Sequence, residues 1–477
     1  MRKIFSILLM FALPIFSLAQ SNSRPQTQPL VITHVTIIDA TGARPKPDQT
    51  IVIVAGRIRE IGKSSAVPVP RGARVLDATG KFLIPGLCDM HVHLAGVSAN
   101  PAWSKEVVLP LYVANGITGV RDMGSDLKLV QQWRKDISDG LLTGPRIVTP
   151  GPMLTTRKST QPEMSAVQNE NEARETVRSL KSRGADFIKV IYLSHDSYVA
   201  LADESKKEHI SFAGHVPESV TAAEASDAGQ KSIEHLSGIL LACSNREAEI
   251  RKARAEARAK SDRSAFERLA VETLDTYDEQ KAKMLFARFV KNGTWQVPTL
   301  VWTRANESLQ NISADDDRLK YVPAALKEEW KPEKMREGLT QAYSELTRRV
   351  FAKDLEIVGA MNRAGVQILA GSDSLDPYVF PGSSLHEELA LLVKAGLTPI
   401  EAIQAATRNA ASYLGMLDTS GTIERGKVAD LLLLDANPLA DISNTQKINA
   451  VVLSGKLIDK EEIKKMLANV EAAANKK

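Results

Sequence analysis

The chain has 477 residues, of which 43% are hydrophobic and 25% are charged, with 61 basic and 57 acidic side chains. This near balance of charge gives no reason to expect a nucleic-acid partner. Two cysteines, Cys88 and Cys243, are too few for a disulfide framework, and both fall in apolar segments that favour buried thiols. The length suits one large domain with an accessory piece, which can bury a large core without crosslinks.

Residues 1–19 have the features of a secretory signal. Two basic residues precede an apolar run from Ile4 to Phe16, and small residues follow as a cleavage site. A membrane anchor is the alternative, but Pro14 interrupts this run and it is short for a span. We therefore expect a secreted or periplasmic protein with no stable membrane insertion after signal cleavage.

Both ends of the mature chain predict short strands. Residues 20–80 contain β-branched runs, and Ala55-Gly56-Arg57 between two of them is a hairpin signal. Residues 416–461 repeat this pattern around Ser454-Gly455. We expect these two parts to form one small β-sandwich domain, followed by a C-terminal tail over residues 462–477.

Between the ends, residues 81–415 alternate short apolar runs with amphipathic stretches, which is the βα pattern of a parallel sheet. Eight such runs predict an α/β fold of the (β/α)₈ TIM barrel class, with its chemistry where the strands end. Two charged insertions, 245–291 and 315–358, predict helices on the mouth or flank. The runs are Leu83–Met90, Gly119–Arg121, Arg146–Thr149, Phe187–Tyr192, Ile210–Ala213, Ser232–Glu234, Trp295–Val297 and Val366–Ala370.

Histidines and an aspartate stand at the ends of these runs. His91 and His93 are two apart, so both point inward from one strand. His215, His235 and Asp373 end the fifth, sixth and eighth runs. Imidazole nitrogen suits a cation such as Zn²⁺, although a lone H-x-H is as often two packed histidines. Five such positions at one barrel mouth predict a metal site.

Lys189 lies inside the apolar fourth run, where a buried ammonium is costly unless it is paired or neutralised. A salt bridge with Asp186 or Asp122 is one interpretation. The sharper one is that the desolvated amine has captured CO₂ as a carbamate, an anionic bridge between two cations.

This ordered set resembles the amidohydrolase superfamily, in its imidazolonepropionase-like and metal-dependent (Xaa-Pro) dipeptidase branch. Asp89-Met90-His91-Val92-His93 follows Pro85-Gly86 as in that family, and Lys189, His215, His235 and Asp373 fall in the family order. The segment Gly421 to Leu431 is similar to the family's return to the small β-domain. The likeness covers nearly the whole mature chain.

The resemblance implies a binuclear hydrolase that cleaves an amide C–N bond in a dipeptide or N-acyl amino acid. His91, His93, Lys189 and Asp373 would bind the more buried divalent ion, and Lys189, His215 and His235 the more exposed one. Zn²⁺ is the default metal from the ligand types, with Mn²⁺, Co²⁺ or Fe²⁺ as alternatives. Asp373 would act as general base and acid for a metal-bridging hydroxide.

The substrate is less well defined. The dipeptidase branch has a tyrosine soon after the fifth-strand histidine, whereas this chain has Val216-Pro217-Glu218 there. Tyr192 is our candidate to stabilise the oxyanion instead. Arg157 is a candidate for the substrate carboxylate, with an exposed loop arginine as the alternative, and His386 could face the pocket.

Two rival functions stay open at this stage. A mononuclear cyclic-amide hydrolase or deaminase would use the same barrel with fewer ligands, and Lys189 argues against it. A non-catalytic, metal-stabilised binding protein would have no need of Asp373. The expected partner is a small-molecule or dipeptide substrate, and assembly into a homo-oligomer is compatible with the sequence.

Overall fold

The computed structural model describes residues 28–95 and 101–476, so the predicted signal at 1–19 lies outside the described residues. The described strands are β1 (Leu30–Ile37), β2 (Lys46–Val54), β3 (Arg57–Lys63), β4 (Arg74–Asp77), β5 (Phe82–Pro85), β6 (Leu87–Val92), β7 (Ile117–Asp122), β8 (Arg146–Val148), β9 (Met153–Thr155), β10 (Met164–Ala166), β11 (Ile188–Tyr192), β12 (Phe212–Gly214), β13 (Ser232–Glu234), β14 (Trp295–Val297), β15 (Leu431–Leu434), β16 (Ile448–Leu453) and β17 (Lys456–Ile458).

Helices separate most of these strands. A π-helical turn, Ser104–Val108, joins the first two α-helices. Short 3-10 helices cover Ser308–Asn311, Asp317–Tyr321 and Ile442–Gln446. The α-helices are α1 (Pro101–Trp103), α2 (Leu109–Ala114), α3 (Leu127–Ser138), α4 (Glu170–Ser182), α5 (His195–Lys207), α6 (Ala222–Asp227), α7 (Ile239–Ala242), α8 (Glu247–Ala259), α9 (Arg263–Asp275), α10 (Glu279–Asn292), α11 (Leu300–Glu307), α12 (Ala324–Glu329), α13 (Pro332–Met335), α14 (Gln341–Arg363), α15 (Ser383–Lys394), α16 (Pro399–Ala405), α17 (Arg408–Tyr413) and α18 (Lys460–Ala474).

The two chain ends share one mixed sheet of eight strands, ordered β17-β16-β15-β5-β1-β2-β3 with β4 paired to β1. The join is antiparallel, because β15 lies against β5 with Leu431 opposite Pro85. Apolar side chains from both ends, such as Ile32, Leu83 and Val452, are buried together in one cluster. The described strands form a continuous sheet, so the predicted sandwich of two sheets is not confirmed.

The middle of the chain forms two parallel sheets, β6-β7-β8 and β10-β9-β11-β12-β13-β14. Seven of the eight predicted runs contain a strand of these sheets. The first run is split, because β5 joins the small sheet and β6 begins the parallel one. Parallel strands joined by helices fit the architecture of a TIM barrel.

The eighth run forms bridges and no strand within the described residues. Ile368 bridges Gln296 on β14, and Ser374 bridges Val92 on β6. The segment between them therefore connects the last strand of one parallel sheet with the first strand of the other. The hydrogen-bond pattern shows no closed barrel, although this connection brings the two sheets around one interior.

The charged insertions are helical, as predicted. Helices α8, α9 and α10 occupy the first insertion, and α12, α13 and most of α14 occupy the second. Residues 462–477, predicted as a tail, lie largely in α18, whose Ile463 and Val470 join the main core. Within the described ranges, no helix has the length and apolar content that crossing a bilayer requires.

Candidate metal centre

Strand β6 delivers His91 and His93 to the carboxyl end of the parallel sheets. Asp89 pairs with Val120 and Val92 with Asp122, so β6 carries one residue more than its partner β7 over this stretch. Such a bulge re-aims the side chains of a strand. Simple alternation from the sequence could not predict it. His91 is fully buried, and His93 is 27% exposed at the side chain.

Each of three histidines donates a hydrogen bond from Nδ1. His91 Nδ1 lies 2.8 Å from a carboxylate oxygen of Glu234, and His93 Nδ1 lies 3.5 Å from the carbonyl of Gly124. His235 Nδ1 lies 2.7 Å from the Thr299 hydroxyl oxygen, which itself donates to a carbonyl. These acceptors favour the tautomer with the proton on Nδ1, which leaves the Nε2 lone pair free for a metal ion.

Asp373 stands among these rings. Its backbone N–H donates to the His91 carbonyl at 2.7 Å, which holds it beside the β6 histidines. His91 Nε2 and His93 Nε2 lie 3.4 and 3.3 Å from the Asp373 Oδ1 atom, and His235 Nδ1 lies 3.7 Å from Oδ2. His91, His235 and Asp373 each offer a ligand atom, and these three atoms lie within 4.8 Å of one another.

These separations match a shared cation better than direct hydrogen bonds. Two ligand atoms that each lie about 2.1 Å from a tetrahedral ion are about 3.4 Å apart. The buried His91 Nε2 has no hydrogen-bond partner within residues 28–95 and 101–476, and a metal ion would satisfy this atom. The residues therefore fit a divalent cation.

Lys189 lies next to this cluster on β11. Lys189 is 1% exposed, and its Nζ has no hydrogen-bond partner in the part of the chain that the structure describes. Neither suggested salt bridge forms, because Asp186 pairs with Arg134 and Asp122 accepts from Ser125 and Thr149. Burial lowers the pKa of Lys189 to about 8, so the amine is more readily neutral than an exposed lysine.

The ionisable groups of the cluster shift one another's pKa values. Burial, followed by the positive charge of Lys189, holds the pKa of His91 well below its usual range. Burial opposes ionisation of Asp373, but the neighbouring histidines outweigh it and lower the pKa of that carboxyl. The pKa of His93 is raised although burial opposes this, since Asp373 bonds to it. Without a metal ion, a proton on His93 can supply the missing positive charge.

His215, Tyr192 and Arg157 extend the site outward. The His215 ring lies 4.9 Å from the His235 ring, and the Tyr192 ring contacts His215 at 6.2 Å. The Arg157 guanidinium lies 5.8 Å from the Tyr192 ring centre. Tyr192 is 41% exposed, so this predicted oxyanion group and the predicted carboxylate ligand Arg157 both stand at the open edge of the cluster.

His386 is not brought to this cluster. It is buried on α15, where Nδ1 lies 3.0 Å from the Thr445 hydroxyl and Nε2 lies 2.9 Å from the Asn115 carbonyl. Both ring nitrogens are thus used to join α15 to neighbouring segments. The expectation that His386 faces the pocket is wrong, because sequence position at the start of a helix does not reveal which face is covered.

A second polar layer beneath the histidines was not predicted. Arg121 on β7 is fully buried, and its Nη2 donates to Glu234 at 2.8 Å. Its Nη1 donates to Ser232 and Tyr413, and its Nε donates to the Met90 carbonyl. Glu234 is the residue that orients His91. The sequence did carry a signal for this layer, because Arg121 and Glu234 are charged residues within apolar runs, as Lys189 is.

Trp302 and Asp376 at the mouth were also missed. The Trp302 ring lies 5.3 Å from the His235 ring, and its indole N–H donates to Asp376 Oδ2. Partial desolvation at the mouth of the cluster, then the negative charge of Asp373, raises the pKa of Asp376 to about 6, although this side chain keeps solvent-accessible surface. Both residues lie beyond their strands in irregular or helical segments, where the sequence pattern carried no sign of their proximity.

Strain marks two positions of the site. His235 has φ 57° and Asp373 has φ 61°, both in the left-handed region that residues with a side chain rarely adopt. Gly371 shows how close the chains run, because an added Cβ would lie 2.9 Å from the His91 backbone nitrogen. Such conformations persist where surrounding structure holds them, and they cluster at functional sites.

Comparison with known proteins gives a family match to most of the chain. The model described as "Amidohydrolase family" matches residues 82–458. Among curated proteins, an ochratoxinase from Aspergillus niger is 40% identical over 91 residues, which is 19% of this chain and 18% of that protein. The chain thus aligns with less than a fifth of that relative's length.

Solved structures match over a much greater length. An Xaa-Pro dipeptidase with bound methionine in the active site has a TM-score of 0.65 at 21% identity, over 91% of this chain and 100% of its own. Bottromycin amidohydrolase has a TM-score of 0.72 at 21% identity, over 95% of this chain and 91% of its own. At these identities the likeness shows the fold.

Proposed function

Because the chain belongs to the amidohydrolase family, we propose that it is a metal-dependent hydrolase that cleaves an amide C–N bond in a dipeptide or N-acyl amino acid. We further propose that two divalent cations bind inside a closed (β/α)₈ barrel. The relatives described as an ochratoxinase, an Xaa-Pro dipeptidase and a bottromycin amidohydrolase support the hydrolytic class.

One observation carries the proposal. Two atoms between the parallel sheets, His91 Nε2 and Lys189 Nζ, are buried without a hydrogen-bond partner in the described part of the chain, and both interact electrostatically with Asp373. Buried polar groups are normally satisfied, so an orphaned pair at one point calls for a ligand. A non-catalytic binding protein would not require an acidic group with its pKa lowered at that point.

The residues divide into two proposed sets. His91, His93 and Asp373 would hold the buried cation, and His215 and His235 would hold the exposed one. Lys189 would be shared between them. Such a cation pair, when bound, lowers the pKa of water and polarises a carbonyl oxygen. Zn²⁺ remains the first choice, since imidazole and carboxylate ligands suit it.

Lys189 would serve as a carbamate. Its neutral amine nitrogen would attack the carbon of CO₂, and one proton would leave as the N–C bond forms. The product is an anion with two oxygens, which offsets the positive charge of two cations. Its full burial and its lowered pKa, about 8, favour the neutral amine that this addition needs.

Asp373 would act as the general base and then as the general acid. Its carboxylate is held ionised by the surrounding histidines, which keep its pKa low although burial opposes this. It can accept a proton from the attacking water and pass it to the leaving amine. The phenol of Tyr192 would stabilise the oxyanion, and the guanidinium of Arg157 would hold the carboxylate of the leaving residue.

Metal analysis tests the proposal directly. Purified protein loaded with Zn²⁺ should retain about two ions per chain, as a binuclear hydrolase requires. It should also release free amino acids from an Xaa-Pro dipeptide library. Lys189→Ala should lose metal and turnover together, whereas His195→Ala, on an exposed histidine of α5, should change neither. An active Lys189→Ala enzyme would contradict the shared-ligand role.

The carbamate has its own readout. Protein exchanged into ¹³C-bicarbonate should show a carbamate carbon signal by NMR that Lys189→Ala abolishes. Removal of bicarbonate should weaken metal retention in wild type. If the signal survives in Lys189→Ala, another amine carries the label and Lys189 is not the bridge.

A mononuclear hydrolase or deaminase is the second candidate. The convergence of His91, His235 and Asp373 on one point within 4.8 Å favours a single ion there. One metal ion per chain, with ammonia released from an amino-substituted ring and no amino acid released from dipeptides, would establish this alternative.

Export remains part of the proposal. We propose that residues 1–19 direct the chain to the periplasm or outside the cell and are then removed. Expression of the full chain in a bacterial host, followed by fractionation and N-terminal sequencing, should give a mature protein that begins near residue 20. An intact N-terminus in the cytoplasm would contradict it.

A further inference from the structure

Six side chains form one continuous arc at the mouth of the metal centre. Arg157 contacts Tyr192, Tyr192 contacts His215, and His215 contacts His235. Trp302 then contacts His235, and Asp376 accepts the hydrogen bond of the Trp302 indole. The arc therefore has a cation at one end, an anion at the other, and metal-type histidines between them.

Neither terminal charge is neutralised by the protein. Throughout residues 28–95 and 101–476, no basic side chain pairs with Asp376 and no acidic side chain pairs with Arg157. Asp376 Oδ2 accepts from the indole, while Oδ1 has no donor among the described residues. Both groups are open to solvent.

We propose that Asp376 and Trp302 form the subsite for the free α-ammonium group of the substrate. This inference rests on the proposed hydrolysis and narrows it to unblocked peptides. A carboxylate supplies a charge-assisted hydrogen bond, and an adjacent indole face attracts a cation. With the ammonium at Asp376, the scissile bond of the peptide would lie at the histidines, and its carboxylate would point toward the Arg157 end of the arc.

The fixed direction of the arc sets the substrate's polarity. The ammonium of the acyl residue lies on the Trp302 side, and the leaving amino acid lies on the Tyr192 side. An N-acetyl group removes the charge that Asp376 would recognise and leaves this carboxylate buried by the substrate without a partner. A buried unpaired carboxylate is costly, so the site would discriminate against N-acyl substrates.

The experiment compares Leu-Pro with N-acetyl-Leu-Pro on the Zn²⁺-loaded full-length protein. Wild type should favour the free dipeptide in kcat/KM by about 10- to 100-fold, the range for one hydrogen bond to a charged group. Asp376→Asn should remove this preference by slowing only Leu-Pro. Asp376→Lys should invert it and favour N-succinyl-Leu-Pro. Asp196→Asn, on an exposed acid of α5, is the matched control.

Equal turnover of the free and acetylated dipeptides by wild type would overturn the subsite and leave the proposed hydrolysis standing. An equal loss for both substrates in Asp376→Asn would also overturn it, because a structural role makes no distinction between them. If neither peptide is cleaved, calorimetry of Leu-Pro and N-acetyl-Leu-Pro binding decides separately. A preference for Leu-Pro that depends on Asp376 supports the subsite, and equal affinities exclude it.

Discussion

Two buried polar layers are stacked inside the parallel sheets, and they differ in how fully they are satisfied. In the lower layer, all three nitrogens of the Arg121 guanidinium donate hydrogen bonds, and Glu234 accepts from Arg121 and Ser232. In the upper layer, His91 Nε2 and Lys189 Nζ have no hydrogen-bond partner among the described residues. Both layers lie in the same interior, so burial does not explain the difference.

The difference teaches how to separate structure from function among buried charges. A satisfied cluster has already reached the state that folding requires, and removing one member leaves the others unpaired. An unsatisfied cluster is complete only when something binds. Glu234 belongs to both layers, since it accepts from Arg121 below and orients His91 above. The lower layer is thus the base on which the upper one is held.

The largest effect should come from the upper layer. Asp373→Asn should lower kcat/KM for a dipeptide by about 10²- to 10⁴-fold, the usual range for loss of a general acid–base group. The metal-free variant should lose less unfolding free energy than a variant of the lower layer, because Asp373 ion-pairs with the histidines but an asparagine leaves no buried charge unpaired. Asp196→Asn is the control, and near wild-type turnover by Asp373→Asn would contradict the role.

The lower layer should show the reverse pattern. Arg121→Met should reduce the free energy of unfolding of the metal-free protein by about 3–5 kcal/mol, because it leaves the Glu234 carboxylate buried without its cation. Urea unfolding measures this, with Arg44→Met, on an exposed arginine, as the control. A loss below about 1 kcal/mol would be typical of a surface substitution and would contradict the proposed difference between the two layers.

A variant at the junction should affect both layers moderately. Glu234→Gln keeps the shape but removes the carboxylate that fixes the His91 tautomer. Metal affinity should fall about 10- to 100-fold, as for other residues that orient a metal-bound histidine. Competition with a chromophoric chelator measures it. If affinity is unchanged, the tautomer is set elsewhere and the two layers are independent.

The smallest effect should be a change in how steeply the free energy of unfolding depends on pH. The pKa of Lys189 is about 8 in the folded chain, against an ordinary 10.5. Between these values the unfolded chain binds more protons, so stability of the metal-free, CO₂-free protein rises from pH 8 to 10.5 and is lost as pH falls. Lys189→Met should remove this contribution, about 1 kcal/mol per pH unit across the interval. An identical slope in both proteins would contradict it.

Much of the fold could be predicted because a buried strand appears in the sequence as a short apolar run, which is a local pattern. Seven of the eight apolar runs coincide with parallel strands. The strand predicted over the eighth run is absent from the described residues, since only Ile368 in the run and Ser374 after it form isolated bridges. The segment still makes backbone hydrogen bonds to both neighbours, from Leu369 to Gln296 on β14 and from Met90 on β6 to Ala370, but each pairing is too short to form a strand.

The site was predictable where chemistry and position coincide. His91, His93, His235 and Asp373 do converge, because strand ends of a parallel sheet meet at one edge. The unpredicted part depends on contacts between distant segments. The bulge in β6, the left-handed backbone of His235 and the pairing of Trp302 with Asp376 arise only from packing. No local pattern encodes them.

The sheet shared by the chain ends has a consequence for how the molecule is made. Strand β5 leads directly into the histidine strand β6, yet its partner β15 lies beyond the last helix of the middle region. During synthesis, β5 therefore waits with one edge unpaired until β15 leaves the ribosome, and an open edge invites pairing with another chain. A nonsense mutation before Leu431 should consequently yield aggregates in place of a smaller soluble enzyme.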